Sequence, residues 1–148
     1  MTEYIYRDAT QSDAENLKKI ANTYVLKDDM SVGAIGNLIR DRTIQVAEIP
    51  EEEDEGGDGG IVGYVNYRVA DGDVIVQHLG VLPDYRETGV PHGLIDEVRE
   101  FSFREDMEMR ISALEDGWLS ELLEDEGFEK TGVVHLAGDR LAIYENIE

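Results

Sequence analysis

The sequence predicts a mixed α/β fold, with a central twisted sheet of about seven strands flanked by about four helices. The hydrophobic patterns follow one another in the order β-α-α-β-β-β-α-β-α-β-β. Residues 74–81 are almost continuously apolar, which is typical of a strand covered on both faces, and an amphipathic helix follows from Val90. No repeat interrupts this order, and 148 residues suit one domain, so we expect a single domain over 1–148.

The first half of the chain predicts a strand, two helices and a strand. Tyr4 to Tyr6 form the first strand, and Ser12 and Glu15 have the spacing of a capping box at the start of the first helix. The second helix is predicted to begin at Ser31, and residues 43–49 form the next strand.

An acidic, glycine-rich segment at 50–60 interrupts the strands. Its charge and glycines cannot pack a core, so we expect a solvated hairpin loop. A cation site is the alternative, but the segment lacks the carboxylate spacing of an EF-hand. A strand at 61–69 and a turn then lead into the strand at 74–81.

The second half of the chain predicts a helix, a strand, a helix and two strands, at 90–101, 107–114, 118–123, 133–136 and 141–144. Gly127 is expected to stop the last helix.

The composition is strongly acidic. There are 34 acidic and 13 basic residues, only four of them lysines, which gives a formal net charge of -21, yet 41% of the residues are hydrophobic. A core inside such a shell is typical of a halophile, because at about 1 M salt the Debye length is about 3 Å and self-repulsion is screened. An acidic mesophilic protein is the alternative. Either reading disfavours nucleic acid as a partner.

Cysteine and membrane segments are both missing from the sequence. Without cysteine there is no disulfide, no thiolate metal site and no cysteinyl acyl-enzyme. No apolar stretch approaches the roughly 20 residues of a membrane span, and the first residues do not resemble a signal peptide. We therefore expect a cytoplasmic protein.

The turn after residues 74–81 carries the most specific motif. It reads Val-Leu-Pro-Asp-Tyr-Arg-Glu-Thr-Gly-Val-Pro over 81–91. This string resembles V-x-P-x-[YF]-[RQ]-x-x-G-x-[GA], the central motif of the GCN5-related N-acetyltransferases (GNAT), and differs at Pro91, where the family has a small residue. Residues 122–132 are similar to a later stretch of the family, and the predicted element order matches the family from end to end.

The resemblance implies a GNAT fold and direct transfer of an acetyl group from acetyl-CoA, or another short acyl-CoA, to a primary amine. A helix N-terminus suits a diphosphate, so the turn is expected to bind that part of the co-substrate. The predicted diphosphate-binding residues are Arg86, Glu87, Thr88, Gly89, Val90 and Pro91. By the same resemblance, the backbone of Leu79 and Val81 would pair with the pantetheine arm in a gap beside the next strand, and an N–H near Val81 would polarise the thioester.

Two residues are candidates for catalysis. His78 has a side chain suited to a general base, although a buried structural histidine is the alternative. Glu115 follows a strand where a polar residue contacts the co-substrate or a bridging water in the family, and a cap for the following helix is the alternative.

Further candidate residues keep two interpretations each. Glu48 is either a base acting through water or a surface carboxylate, and Tyr144 is mainly a core or rim aromatic residue. Arg86 either contacts phosphate or forms a surface ion pair. His92 and His135 lack metal-ligand spacing, so no metal is expected.

The acceptor is not legible from the sequence. The acidic surface favours a cationic small molecule or peptide amine, such as a polyamine, an amino sugar or a lysine-bearing peptide. Pro91 lacks an N–H, and Leu123 stands where many family members have a tyrosine acid. A catalytically degenerate acyl-CoA sensor or interaction module therefore remains an alternative, as does a domain that has lost the ligand, and a homodimer is possible.

Overall fold

The computed structural model describes residues 4–24, 32–41, 43–49, 60–115, 117–136 and 139–146. Within these ranges the strands are β1 Ile5–Asp8, β2 Ile44–Glu48, β3 Ile61–Ala70, β4 Asp73–Val81, β5 Glu108–Leu114, β6 Glu129–Leu136 and β7 Asp139–Asn146. The helices are α1 Ala14–Tyr24, α2 Val32–Arg40, α3 Val90–Arg104 and α4 Trp118–Asp125. Short 3-10 turns lie at Gln11–Asp13 and Pro83–Tyr85. The predicted element order is therefore confirmed.

The strands form one seven-stranded mixed sheet in the order β1-β2-β3-β4-β5-β7-β6. β4 and β5 run parallel, with Asp73 opposite Glu108 and Val76 opposite Ile111. The described antiparallel pairs include β1 with β2, β2 with β3, and β7 with both β5 and β6. The predicted fold class is confirmed.

The chain contacts divide the chain into two compact units. Unit 1 comprises Met1–Tyr67 and His78–Glu97, and unit 2 comprises Arg68–Gln77 and Val98–Glu148. The division runs through β3, β4 and α3, so each of these elements contributes residues to both units. Whether the chain behaves as one domain stays a prediction.

Unit 1 has an apolar core on the side of the sheet that α1 and α2 share. Its buried residues are Ala9, Ala14, Leu17, Ile20, Ile35, Ile39, Ile44, Val46, Ile61 and Tyr64. At the edge of this unit the Arg7 guanidinium binds two carboxylates, at 2.8 and 3.1 Å from Asp13 and at 3.1 Å from both oxygens of Glu48. These bonds tie the 3-10 turn and β2 to β1.

Unit 2 buries side chains from β5, β7 and α4. They include Met109, Ile111, Ala113, Leu123, Ala142 and Tyr144, and Phe128 just before β6 is buried as well. The Arg99 guanidinium carbon lies 5.1 Å from the ring centroid of Phe128, and Arg99 also forms an ion pair with Glu126 at 3.8 Å. Gly127, with φ of 89°, ends α4 as predicted.

Several predicted boundaries are wrong in detail. The capping interaction joins Thr10 and Asp13, whose carboxylate accepts the Thr10 N–H at 2.7 Å, and does not involve the expected pair Ser12 and Glu15. The carboxylate of Asp13 is drawn to this position by Arg7, which no local spacing reveals. β4 is buried continuously only from Leu79 to Val81 and alternates before that. Ser31 and residues 50–59 of the predicted acidic loop lie outside the described residues.

Candidate functional site

The candidate site of unit 1 is the connection between β4 and α3. β4 ends at Val81, which is fully buried, and the 3-10 turn Pro83–Tyr85 follows because Pro83 presets its first φ angle. The Leu82 N–H donates to the Val62 carbonyl at 2.9 Å, so the start of the turn remains attached to β3. The turn therefore starts at a position that hydrogen bonding fixes on the sheet.

Side chains of the turn fold back on its own backbone. Arg86 Nε donates to the Val81 carbonyl at 3.1 Å, which holds the guanidinium beside the end of β4. The Thr88 hydroxyl donates to the Tyr85 carbonyl at 2.5 Å and accepts the Val90 N–H at 3.2 Å. Arg86 and Thr88 therefore brace the turn, and phosphate contact by Arg86 stays a prediction.

The turn also retains backbone donors. Within the described part of the chain, the N–H groups of Glu87 and Gly89 have no hydrogen-bond partner. A Cβ atom built on Gly89 would meet no other atom within 4 Å, so the backbone is open on that side. Unpaired N–H groups beside open space, just before a helix, fit an anionic group such as the diphosphate of CoA.

Pro91 is buried and is the second residue of α3. The helix continues to Arg104 because the N–H of a first-turn residue has no partner within a helix. The Gly93 N–H donates to the Gly89 carbonyl at 2.9 Å, so the first full turn of the helix is closed around Pro91. Pro91 thus preserves the helix and removes one donor from its N-terminus.

His78 lies on β4 in unit 1 and is half-buried. Burial lowers the pKa of His78, because the charged imidazolium loses hydration there. The side chain is therefore a neutral imidazole at pH 7, the form that accepts a proton. Whether it acts as a base stays a prediction.

Glu115 lies in unit 2 just after β5 and is bound by two cations. Its carboxylate is 3.2 Å from the Arg140 guanidinium and 3.8 Å from the Lys130 ammonium, and its N–H donates to the Arg140 carbonyl at 3.1 Å. The residue at the N-cap of α4 is Gly117, so the expected capping role of Glu115 is wrong. The cations hold the Glu115 carboxylate on the β6–β7 hairpin, and its catalytic role stays untested.

The remaining candidates have structural partners. Glu48 binds Arg7, so it is a paired carboxylate of β2. Tyr144 is 2% exposed and belongs to the core, as the sequence indicates, and Leu123 is fully buried on α4. His92 Nε2 lies 2.8 Å from a carboxylate oxygen of Asp96 on the exposed side of α3.

One contact at the site, made by Tyr6 of β1, is not indicated by any pattern in the sequence. Its hydroxyl donates to the Gly89 carbonyl at 3.3 Å, although 83 residues separate the two along the chain. No local pattern could reveal this contact, because it depends on the pairing of β1 with the sheet.

Two other features, a metal-binding cluster and a membrane-spanning helix, are absent from the described residues. They contain no group of three or more His, Cys, Asp or Glu residues placed to hold a metal ion. They also contain no helix with the length and apolar character of a membrane span.

Comparison with known proteins identifies the fold. No family model and no curated protein matches the sequence. The structure resembles Arabidopsis thaliana NAA60 in complex with acetyl-CoA, with a TM-score of 0.79 and 16% identity over 99% of this chain and 100% of the other. It also resembles an N-acetyltransferase from Staphylococcus aureus Mu50, with a TM-score of 0.79 and 14% identity over 97% and 98%.

A third similar structure contains a bisubstrate analogue. Arabidopsis thaliana Naa50 in complex with the bisubstrate analogue CoA-Ac-MVNAL has a TM-score of 0.74 and 15% identity, and the match covers 98% of this chain and 99% of the other. At these identities the likeness concerns the fold alone. The chain therefore has the fold of the GNAT acetyltransferases.

Proposed function

We propose that the protein is an acyl-CoA-dependent N-acyltransferase that moves an acetyl group from acetyl-CoA to a primary amine by direct transfer. The open β4–α3 turn carries this proposal. Among the described residues it combines two N–H groups without a hydrogen-bond partner, at Glu87 and Gly89, with open space over Gly89 at the start of a helix. That arrangement occurs in a fold shared with acetyltransferases, one of them bound to acetyl-CoA.

Some residues of the turn would bind the diphosphate, and others would hold the turn in shape. The Glu87 and Gly89 N–H groups donate to the diphosphate, and the partial positive charge at the start of α3 adds to the attraction. Arg86 and Thr88 keep the turn in shape through their bonds to Val81 and Tyr85. Such preorganisation reduces the free energy that ordering the turn on binding would otherwise cost.

The chemistry requires a neutral amine and a group that takes its proton. Acetyl-CoA supplies a thioester whose leaving group is the thiolate of a thiol with a pKa of about 8.5, and it leaves without an obligatory acid. We assign the proton acceptor to His78, because its lowered pKa keeps the imidazole neutral at pH 7. The attacking nitrogen gains the acetyl carbon, the carbon–sulfur bond breaks, and the proton passes to His78 directly or through water.

A peptide amine is the first acceptor to test. Among the similar structures, NatC is bound to a Gag peptide and CoA, and Naa50 is bound to an analogue that joins CoA to a peptide. The net charge of -21 favours an acceptor that carries positive charge. Peptides with a free amino terminus and basic residues satisfy both conditions, and polyamines and amino sugars form the second group.

A catalytically inactive acyl-CoA sensor is the second candidate. Pro91 removes a donor from the turn, and the buried Leu123 has no acidic group. Losing one charge-assisted hydrogen bond weakens affinity by roughly ten- to a hundredfold, so binding survives at higher ligand concentration.

One experiment tests both candidates. Acetyl-CoA is titrated by calorimetry in about 2 M KCl, which screens surface repulsion, and release of CoA thiol is then followed with peptide, polyamine and amino-sugar acceptors. Binding with thiol release supports the transferase. Binding without release across all acceptors supports the sensor, and no heat at millimolar acetyl-CoA rejects both.

The source, location and assembly of the protein are part of the proposal as well. The charge of -21 favours a halophilic source, and we propose that the chain is a single cytoplasmic domain that needs no metal and binds neither nucleic acid nor membrane. A homodimer is proposed as one possible assembly. Sedimentation between about 0.1 and 3 M KCl tests both the salt requirement and the assembly.

A further inference from the structure

Small residues of the sheet allow the first turns of α3 to pack closely against it. Tyr6, Ala47 and Gly63 stand opposite one another on β1, β2 and β3. A Cβ on Gly63 would lie 3.0 Å from the Gly80 carbonyl oxygen and 3.2 Å from a Val90 methyl carbon, which is tighter than ordinary contact. The start of α3 therefore packs closely on the sheet at Gly63, and Tyr6 lies in the same row on the edge strand.

Tyr6 lies at the edge of the sheet and contacts α3. A Cβ on Gly93 would lie 2.1 Å from both the Tyr6 hydroxyl oxygen and the ring carbon that bears it. The phenol thus occupies the space that a side chain at position 93 would need. Any larger residue there has to displace the Tyr6 ring, which is the movable partner.

The same phenol reaches the candidate binding turn. Its hydroxyl donates to the Gly89 carbonyl at 3.3 Å, and that carbonyl also accepts the Gly93 N–H at 2.9 Å. Two bonds to one carbonyl fix the peptide plane that follows the open Gly89 position. The Gly89 N–H belongs to the preceding peptide, which is joined to this fixed plane at the Gly89 Cα.

The protonation of Tyr6 fits a donor role. Burial raises the pKa of Tyr6, and the nearby Tyr4, Glu97 and Asp96 raise it further. A phenol with a raised pKa keeps its proton at neutral pH and above, so the bond to Gly89 persists across the physiological range.

We infer that Tyr6 is a positioning residue for diphosphate recognition: from the edge strand β1 it holds the Gly89 carbonyl and thereby presets the turn that binds the diphosphate of CoA. This inference rests on the proposed function, because it requires that the turn bind CoA. Tyr6 touches no part of the ligand in this role, and its effect passes through Gly89.

The test compares CoA with pantetheine, which lacks the diphosphate. In the wild-type protein and in Tyr6→Phe, calorimetry measures the affinity for each ligand. Tyr6→Phe keeps the ring against Gly93 and removes only the hydroxyl, so CoA affinity should fall by roughly three- to tenfold, the effect of one neutral hydrogen bond. Pantetheine affinity should not change. Tyr4→Phe keeps the ring that lies edge-on to Tyr85 at 6.3 Å and removes a hydroxyl that has no hydrogen bond among the described residues, so it is the matched control.

A second variant tests the ring contact. Gly93→Ala should push the Tyr6 ring aside and weaken CoA binding to at least the same extent as Tyr6→Phe. In a Tyr6→Ala background the same change at Gly93 should have almost no further effect, since the clash is gone. Additive losses for the two changes would contradict the inference.

The outcomes separate this inference from the proposed function. If the wild-type protein does not bind CoA, the proposed function fails, and the inference fails with it. If the wild-type protein binds CoA and Tyr6→Phe binds CoA equally well, only the inference is overturned. Equal losses for CoA and pantetheine would also overturn it, because they indicate a general effect on the fold.

Discussion

The connections after β4 and β5 differ although the two strands are parallel neighbours and each is followed by a helix. A glycine precedes each helix, Gly89 before α3 and Gly117 before α4. At Gly89 the backbone is open and its N–H has no partner among the described residues. At Gly117 an added Cβ would touch Leu114 at 3.4 Å, and the Gly117 N–H donates to the Leu114 carbonyl at 3.0 Å.

The second connection is closed by its own hydrogen bonds. The Leu114 carbonyl also accepts the Ser120 hydroxyl at 2.6 Å, and the next residue, Glu115, is held by Arg140 and Lys130. The comparison shows that a parallel strand followed by a helix does not by itself make a binding site. The polar backbone groups that the turn leaves unpaired decide whether it is suited to a ligand.

The largest predicted effect tests whether the proton acceptor is His78 on β4 or a residue after β5. His78→Gln should lower kcat by about a hundredfold or more, the usual contribution of a general base. Because burial lowers the pKa of His78 below 6.5, wild-type kcat should be constant near pH 7 and fall only below that value, where the imidazole gains a proton. Steady-state kinetics between about pH 5 and 8 measure both effects.

A histidine on another strand supplies the control for His78. His135→Gln removes an exposed histidine from β6 and should leave kcat within about threefold of the wild type. If Glu115→Gln lowers kcat strongly while His78→Gln does not, the proton acceptor belongs after β5, and the assignment to His78 is wrong.

The next effect compares the two glycines directly. Gly89→Ala places a methyl group where the ligand should approach, so CoA affinity should fall by roughly ten- to a hundredfold, as for the loss of a charge-assisted hydrogen bond. Gly117→Ala makes the same change before α4 and should leave CoA affinity unaltered, with a similar small effect on helix capping. Calorimetry and urea unfolding of both variants test the pair. Equal CoA affinity of the two variants would place the diphosphate elsewhere.

A third prediction concerns stability and compares the ion pairs of the two units. Asp13→Asn should reduce the free energy of unfolding by roughly 1.5–3 kcal/mol, because the Asp13 side chain is only 10% exposed and binds Arg7. Burial raises the pKa of Asp13, but the bonds from Arg7 and Thr10 outweigh it and hold the pKa below 3.8. The carboxylate therefore stabilises the fold above about pH 4, and this contribution is lost as the pH falls through the lowered pKa.

Urea unfolding at several pH values checks this prediction. The difference between the wild type and Asp13→Asn should be complete at pH 7 and should shrink as the pH falls below 3.8 through the lowered pKa. Glu115→Gln, in the more exposed cluster of unit 2, should cost no more than about 1 kcal/mol. An unchanged difference at acid pH would show that the ionised form of Asp13 is not what stabilises the wild type.

The smallest effect concerns the donor that Pro91 removes. Pro91→Ala restores an N–H in the first turn of α3 and should tighten CoA binding by up to about tenfold. Pro83→Ala removes a proline from the 3-10 turn without adding a donor at the helix and should not tighten CoA binding. If both variants bind CoA as the wild type does, the donor at position 91 takes no part in binding.

The sequence predicted the elements better than their contacts. Helix and strand periods gave the order of all described elements, and the motif from Val81 to Gly89 located the turn before α3. The capping pair was misplaced because Asp13 responds to Arg7 of the preceding strand. Glu115 is a capping candidate by its position just before α4, but its partners Lys130 and Arg140 are distant in sequence and no local pattern reveals them.

By itself the sequence determined the fold class, the acidic surface and the position of the candidate CoA-binding turn, because periodicity, composition and a short motif are local properties. Only the tertiary structure decided that Tyr6 reaches Gly89 and that Glu115 is tied to the β6–β7 hairpin. Strand pairing brings such residues together across tens of positions. A site that depends on one carbonyl being held from a distant strand is therefore legible only after the sheet has formed.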